Sequence, residues 1–251
     1  MQIRITFAPN EITLPLSYHH GVQSMLYRAM PDRAYASFLH ERGFLYGGRS
    51  FKGFCFSRLQ GRHQTGGGAI RFTGGAALEV RGIDPRFIQQ ILTGFAPGTP
   101  HTLCGAELEV RGCVLSDRRI TEERAEVRMA SPLTVYRTQR REEAAGGRKW
   151  TEYLGPTDPD FARLLADNAE QKWKAWHQTE PPGRLEVTPV DVDPVRDKVV
   201  AKFTRGGERG DAVTAWKGTY RLAGPAPLLD FLYHTGLGAK NSSGFGLFDL
   251  L

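Results

Sequence analysis

Long apolar runs are missing from this chain. No stretch approaches the ~18 consecutive apolar residues of a membrane-spanning helix, so no such segment is expected. Cysteine is scarce: Cys55, Cys104 and Cys113 are the only three in 251 residues. They form neither a C-x-x-C pair nor an even disulfide set, which argues against structural zinc and for a reducing compartment. Charge and proline interrupt the apolar residues of positions 1–17, so no signal peptide is read there. The expectation is a soluble, cytoplasmic protein with no membrane partner. No glycine precedes Lys-Ser or Lys-Thr, which removes the P-loop and ATPase chemistry with it. Without a His-x-x-x-His pair or an aspartate cluster, neither a metal nor a cofactor is expected.

Glycine and positive charge are what the chain does have. Lysine and arginine total 33 against 27 carboxylates, a net charge of +6 with arginine in the majority. Arginine suits bidentate phosphate contact, so a polyanionic partner is expected, nucleic acid before membrane surface. The segment Gly236–Gly246 reads G-x-G-x5-G-x-G. Its glycines permit positive φ and close packing, so that several N–H groups can converge on one concavity. Lys240, Asn241, Ser242 and Ser243 add a cation and small donors. The spacing is not that of a dinucleotide fingerprint, because Asn241 stands at the third glycine position. A loop of this kind suits a phosphate or a run of backbone phosphates, and it can equally be a hairpin that merely turns the chain.

The hydrophobic pattern divides the chain in two. In the first half, Gln2–Phe7 alternates as a strand, and His19–Met30 is helical with Val22, Met25, Leu26 and Ala29 on one face, stopped by Pro31. A second helical piece runs from Asp32 to about Glu41. Ser50–Leu59, Ala69–Phe72, Ala77–Val80 and Leu103–Leu115 read as extended, with a short helix at Pro85–Leu92. In the second half, Ala125–Tyr136 is extended and Pro159–Trp176 is the strongest helix. Leu185–Val190, Val199–Thr204 and Ala212–Leu222 read as strands, followed by a helix at Pro225–Tyr233 and a strand at Phe245–Leu250. The fold class expected is α+β, with two tandem ferredoxin-like (RRM-like) β-α-β-β-α-β domains over 1–120 and 121–251. Charged residues near 116–125 mark the boundary. Gly61–Gly75 reads as a mobile loop or loose hairpin. Residues 137–149, with Arg137, Arg140, Arg141, Arg148 and Lys149, read as a basic loop able to order on RNA.

Two such units ending in this glycine loop resemble the CRISPR repeat-processing endoribonucleases of the RAMP superfamily. Further segments carry the resemblance: Leu14-Pro15-Leu16-Ser17-Tyr18-His19-His20 with the helix through Tyr27, then Phe38-Leu39-His40-Glu41, and Ser131-Pro132-Leu133. The resemblance implies metal-independent cleavage of CRISPR repeat RNA into mature guide RNAs. The 2′-OH attacks the adjacent phosphorus, leaving a 2′,3′-cyclic phosphate and a 5′-OH. It also implies His40, Tyr27 and Lys52 as catalytic residues. His40 is the proton-transfer group, since histidine titrates near neutrality. Arg49, Arg58 or Lys240 can replace Lys52, and His19 or His20 is an alternative site histidine. His63, His101, His177 and His234 are expected to be structural or surface residues. The RNA-binding set is Gly236, Gly238, Lys240, Asn241, Ser242, Gly244 and Gly246, with Arg140 and Arg141. The alternative is a non-catalytic RNA-binding RAMP subunit of a CRISPR effector complex. Partners are then the repeat RNA and other effector-complex proteins, and a homodimer is left open.

Overall fold

Ile3, Ile5 and Phe7 alternate inward along strand Gln2–Ala8, which lies at the centre of a five-stranded sheet. From edge to edge the strands are Phe54–Phe56, Ala76–Gly82, Gln2–Ala8, Ala106–Ser116 and Pro100–Leu103, each antiparallel to its neighbour. Helices α1 (His19–Ala29) and α2 (Arg33–Glu41) separate the central strand from Phe54–Phe56 in sequence, and α3 (Pro85–Gly94) follows Ala76–Gly82. This computed structural model describes residues 1–140, 149–205 and 208–251, and side chains outside 140–149 and 202–211.

The second half repeats the order. Its sheet runs Glu186–Asp191, Thr219–Ala223, Arg124–Met129, Phe248–Leu250. Helices α4 (Phe161–His177) and α5 (Ala226–Thr235) occupy the two crossovers. In both halves the first strand is central, flanked by the third and fourth, with the second beyond the third. One apolar core gathers Ile5, Leu26, Leu78 and Val110. Another gathers Val127, Leu165, Leu222 and Leu232. Among the described residues no helix is long and apolar enough to cross a membrane.

Arg81 links the halves. It lies on strand Ala76–Gly82, is 1% exposed, and donates to Glu79 (2.6 Å), to the Phe248 carbonyl (2.6 Å) and to Asp249 (2.8 Å). Its guanidinium also stacks 3.9 Å from the centroid of the Tyr233 ring. A buried cation is tolerated because every face of the planar fork meets a partner.

Several expected elements divide differently. Ala212–Leu222 is two strands, Glu208–Trp216 and Thr219–Ala223, because Gly218 turns the chain at φ +107°. Leu103–Leu115 is a hairpin turning at Cys104-Gly105, both at positive φ. Ala125–Tyr136 stops being a strand at Met129, just before Ser131-Pro132, and Phe245–Leu250 is extended only over Phe248–Leu250. Ser50–Leu59 breaks at Gly53 into Arg49–Phe51, which pairs with Phe44–Tyr46, and the sheet strand Phe54–Phe56. Gly61–Gly75 holds an ordered hairpin, His63–Gly66 with Ala69–Thr73, docked on strand Glu11–Pro15.

Candidate active site

Tyr27, His40 and Lys52 come from three separate segments that the local fold draws together. Tyr27 sits near the end of α1, which Pro31 prevents from continuing. Asp32 then starts α2 by accepting the Tyr35 N–H at 3.0 Å. His40 lies in the last turn of α2. Gly43, at φ +60°, ends that helix by donating its N–H to the Phe38 carbonyl at 2.8 Å. A side chain on Gly43 would meet the Phe51 carbonyl, so the hairpin folds back tightly and returns Lys52 to the end of α2. The Lys52 ammonium donates to the His40 carbonyl at 3.0 Å.

The Tyr27 and His40 rings meet edge to face, 5.2 Å between centroids and 89° between planes. Tyr27 is half-buried, with Phe54 on its other side at 5.9 Å. Burial pushes its phenol above the usual range, so it is a neutral hydroxyl at physiological pH. The His40 ring is exposed and open to a substrate. Burial lowers the Lys52 ammonium below its ordinary value. A phenol donor, an imidazole and an ammonium therefore share one patch. Glu41 takes no part: its carboxylate accepts from Ser37 at 3.2 Å.

Lys52 also lines a cleft of about 650 Å³ between the two halves. The opposite wall is the glycine loop, from Gly238 through Ser242. Within it, Asn241–Ser243 forms one turn of 3₁₀ helix entered by Lys240 at φ +57°. Lys240 is exposed, with its ammonium 5.4 Å from the centroid of the Tyr136 ring. Ser242 is half-buried on the cleft wall.

The glycines themselves pack against protein, so these loop positions are held from behind by the fold. A Cβ on Gly238 would sit 2.5 Å from the Thr134 carbonyl oxygen, and one on Gly244 would sit 2.8 Å from the Phe56 ring. On Gly236 it would meet the Asn241 amide at 2.6 Å, and on Gly246 it would overlap the Leu237 carbonyl. The N–H groups of Leu237, Ala239, Ser243, Gly244 and Gly246 all donate to protein carbonyls. Asn241, expected to touch RNA, staples the loop: its amide donates to the Leu237 carbonyl (3.0 Å) and the Phe245 carbonyl (3.1 Å). Glycine spacing signals close approach without saying to what.

A functional candidate that the sequence reading passed over is Lys172 of α4. It is 4% exposed and lies under the loop. Its ammonium donates to the Gly236 carbonyl, to the Gly238 carbonyl at 3.2 Å and to Asn241 Oδ1 at 3.1 Å. The available signal was its helical phase: four residues after Asn168 and seven after Leu165, it falls on the buried face.

The remaining candidates lie elsewhere. His19 is buried, its Nδ1 3.2 Å from the Arg58 guanidinium, and burial together with that charge pulls it down to about 3. It is therefore a neutral interior imidazole, whereas His20 is exposed. Arg49 lies on the cleft rim. His177 stacks on Trp173 and His101 on Phe95. Arg141 and Arg148 lie outside the described residues. The backbones of Arg140 and Lys149 pair across the hairpin Tyr136–Arg140 with Lys149–Tyr153, and their side chains lie outside the description. Arg137 is spent on Glu152 (2.6 Å) and Asp160 (2.8 Å).

Residues 115–250 match the family model of the CRISPR associated protein Cas6, C-terminal part. The CRISPR-associated endoribonuclease Cas6 of Pyrococcus furiosus is 29% identical over 101 residues, which is 40% of this chain and only 35% of that protein. The structure of a Cas6-related protein from Pyrococcus furiosus superposes with a TM-score of 0.81 at 15% identity, covering 100% of this chain and 98% of the other. A RAMP protein described as binding different RNA substrates gives 0.80 at 18% identity, covering 100% and 99%. At these identities the solved structures establish a shared fold. With the family model spanning more than half of its length, the chain belongs to the Cas6 family.

Proposed function

We propose that this chain is an endoribonuclease that cuts CRISPR repeat RNA within the precursor transcript and releases mature guide RNAs. The observation that carries the proposal is the meeting of the Tyr27 and His40 rings at the end of α2, where Lys52 bonds the His40 carbonyl and itself lines a cleft shared with the glycine loop. The fold it rests on is a pair of ferredoxin-like units, residues 1–120 with the catalytic patch and 121–251 with the loop. The recurring strand order supports that division.

In the proposed reaction the ribose 2′-oxygen forms a bond to phosphorus as the P–O5′ bond breaks. One proton leaves the 2′-OH and one reaches the departing 5′-oxygen, giving a 2′,3′-cyclic phosphate and a 5′-OH. His40, exposed and set edge to face against Tyr27, carries one of these transfers. Tyr27, a neutral phenol beside it, donates to the 2′-oxygen or to a phosphate oxygen. Lys52 faces the negative charge that builds on the non-bridging oxygens, where a fixed cation lowers the barrier. None of these roles calls for a metal or a cofactor. The partner is the repeat RNA, held as precursor and as product.

The test is cleavage of the cognate repeat RNA with EDTA present, beside a substrate carrying a single 2′-deoxy nucleotide just upstream of the cut. The native RNA is expected to be cut to cyclic-phosphate ends, and the deoxy RNA to bind uncut. Cleavage of the deoxy RNA, or loss of native cleavage in EDTA, overturns the mechanism. Tight binding of native RNA without any cleavage favours a non-catalytic RAMP subunit.

A further inference from the structure

Lys172 raises a problem that the proposed chemistry leaves unsolved. A lysine 4% exposed is costly to bury, and among the described residues no carboxylate supports its charge. All of its partners are oxygens of the glycine loop: the carbonyls of Gly236 and Gly238 and the side-chain oxygen of Asn241. Three acceptors match the three protons of an ammonium, whereas a neutral amine has two protons and a lone pair. The arrangement is therefore built for the charged form, yet it holds no counter-charge. That side chain also lines the cleft, together with Lys52 and the loop residues Gly238–Ser242.

We propose that Lys172 is a positioning residue for RNA: a buried cation that turns the loop oxygens inward and is neutralised by backbone phosphate entering the cleft. The inference rests on the RNA-binding reading above and concerns a residue that reading does not use. With Lys172 in place, two carbonyls and the Asn241 oxygen are turned onto its ammonium. Removing it strands three acceptors, and buried acceptors without donors are expensive. The loop then relaxes toward the only water at hand, that of the cleft, and presents oxygen dipoles to the incoming phosphates.

The charge balance is delicate. Burial brings the Lys172 ammonium down to about 7, and the Cys55 thiol of strand Phe54–Phe56 would oppose this only as a thiolate. That thiol is itself pushed up to about 12 and so stays neutral. The other ionisable groups on the cleft are Lys52, Arg49, Lys240, Arg137, Tyr136 and Asp167. Phosphate in the cleft favours the ammonium, so RNA binding takes up a proton and affinity weakens as pH rises above neutrality. Lys52 titrates in the same sense, and comparison with a variant isolates the share due to Lys172.

The test compares the parent with Lys172→Met, which keeps the length of the side chain and removes its donors. Affinity for the cognate repeat RNA is measured from pH 6 to pH 9 alongside the urea midpoint. The expected result is an affinity loss of about ten-fold at pH 6.5, the size of one lost charge-assisted hydrogen bond. The pH dependence should flatten, and the urea midpoint should fall only modestly, because the loop acceptors that lose the ammonium regain water from the cleft. A variant that binds within about three-fold of the parent, with a parallel pH profile, overturns the proposal. So does an affinity loss that merely tracks a lowered urea midpoint. If Lys172→Met does not fold, Lys172→Gln is read in the same assays, and failure of both to fold makes Lys172 purely structural and also overturns the proposal. A parent that binds no repeat RNA refutes the RNA-binding reading itself, a separate outcome.

Discussion

Replacing His40 with alanine separates chemistry from folding, because the structure assigns the side chain so little structural work. The ring is exposed, and its described packing partner is the edge-to-face contact with Tyr27 at 5.2 Å. Such a contact is worth about 0.5–1.5 kcal/mol, so His40→Ala should cost about 1.5 kcal/mol of stability at most. The lysine contact survives, since Lys52 holds the backbone carbonyl of residue 40 rather than the ring. A proton-transfer group contributes roughly 10²–10⁴ in rate, or about 2.7–5.5 kcal/mol of barrier. The variant should therefore fold and bind repeat RNA like the parent while cutting at least about a hundred-fold more slowly. Single-turnover cleavage with enzyme in excess measures the rate free of binding, and filter binding measures affinity. A His40→Ala rate within about five-fold of the parent refutes the assignment and moves the proton transfer elsewhere.

Other positions give sharp expectations. Lys240→Ala should weaken RNA binding and reduce the slope of log affinity against log salt by roughly 0.7, the value for one lost contact to a single strand; an unchanged slope removes Lys240 from the interface. Gly246→Ala should destabilise the fold by about 2 kcal/mol or more, read by thermal melting, because its methyl overlaps the Leu237 carbonyl at φ +79°. Arg81→Met strands the Glu79 carboxylate and the Phe248 carbonyl, and should cost about 3–5 kcal/mol in urea denaturation; a loss below about 1 kcal/mol would show that the halves do not depend on this link. His19, held down to about 3, stays neutral in the folded state while the unfolded chain protonates it below about 6.5. Its stabilisation is complete above that pH and is lost progressively on acidification toward 3, so His19→Phe should flatten the fall in urea midpoint between pH 7 and pH 4.

The alternation Ile3-Ile5-Phe7 and the helical phase of α4 were open to inspection, because burial on one face leaves a period in the sequence. Turns were harder to see. Gly218 and Gly53 each break what reads as one continuous strand, and only positive φ at the glycine reveals it. Strand Glu11–Pro15, five residues long, is too short for its alternation to stand out. Tyr27, His40 and Lys52 were singled out through family resemblance. Nothing in their spacing says that Gly43 folds the chain back and sets Lys52 against the end of α2. Lys172 escaped notice because a lysine on an amphipathic helix normally marks the solvent face, and its real partners lie more than sixty residues away.

On the proposed function, the glycine loop also limits how an RNA preference of this chain can be changed. Four of its positions are filled from behind by Thr134, Phe56, Asn241 and Leu237, so enlarging any of them strikes protein before it reaches a ligand. Asn241 is held by its own hydrogen bonds. That leaves Ala239, Lys240, Ser242 and Ser243 as the only places in the loop where sequence can drift without breaking the frame. On that reading, new base preferences are written mainly on other cleft residues, Arg49, Ser50, Phe51 and Thr138. A library that randomised the whole loop would spend most of its members on unfolded chains.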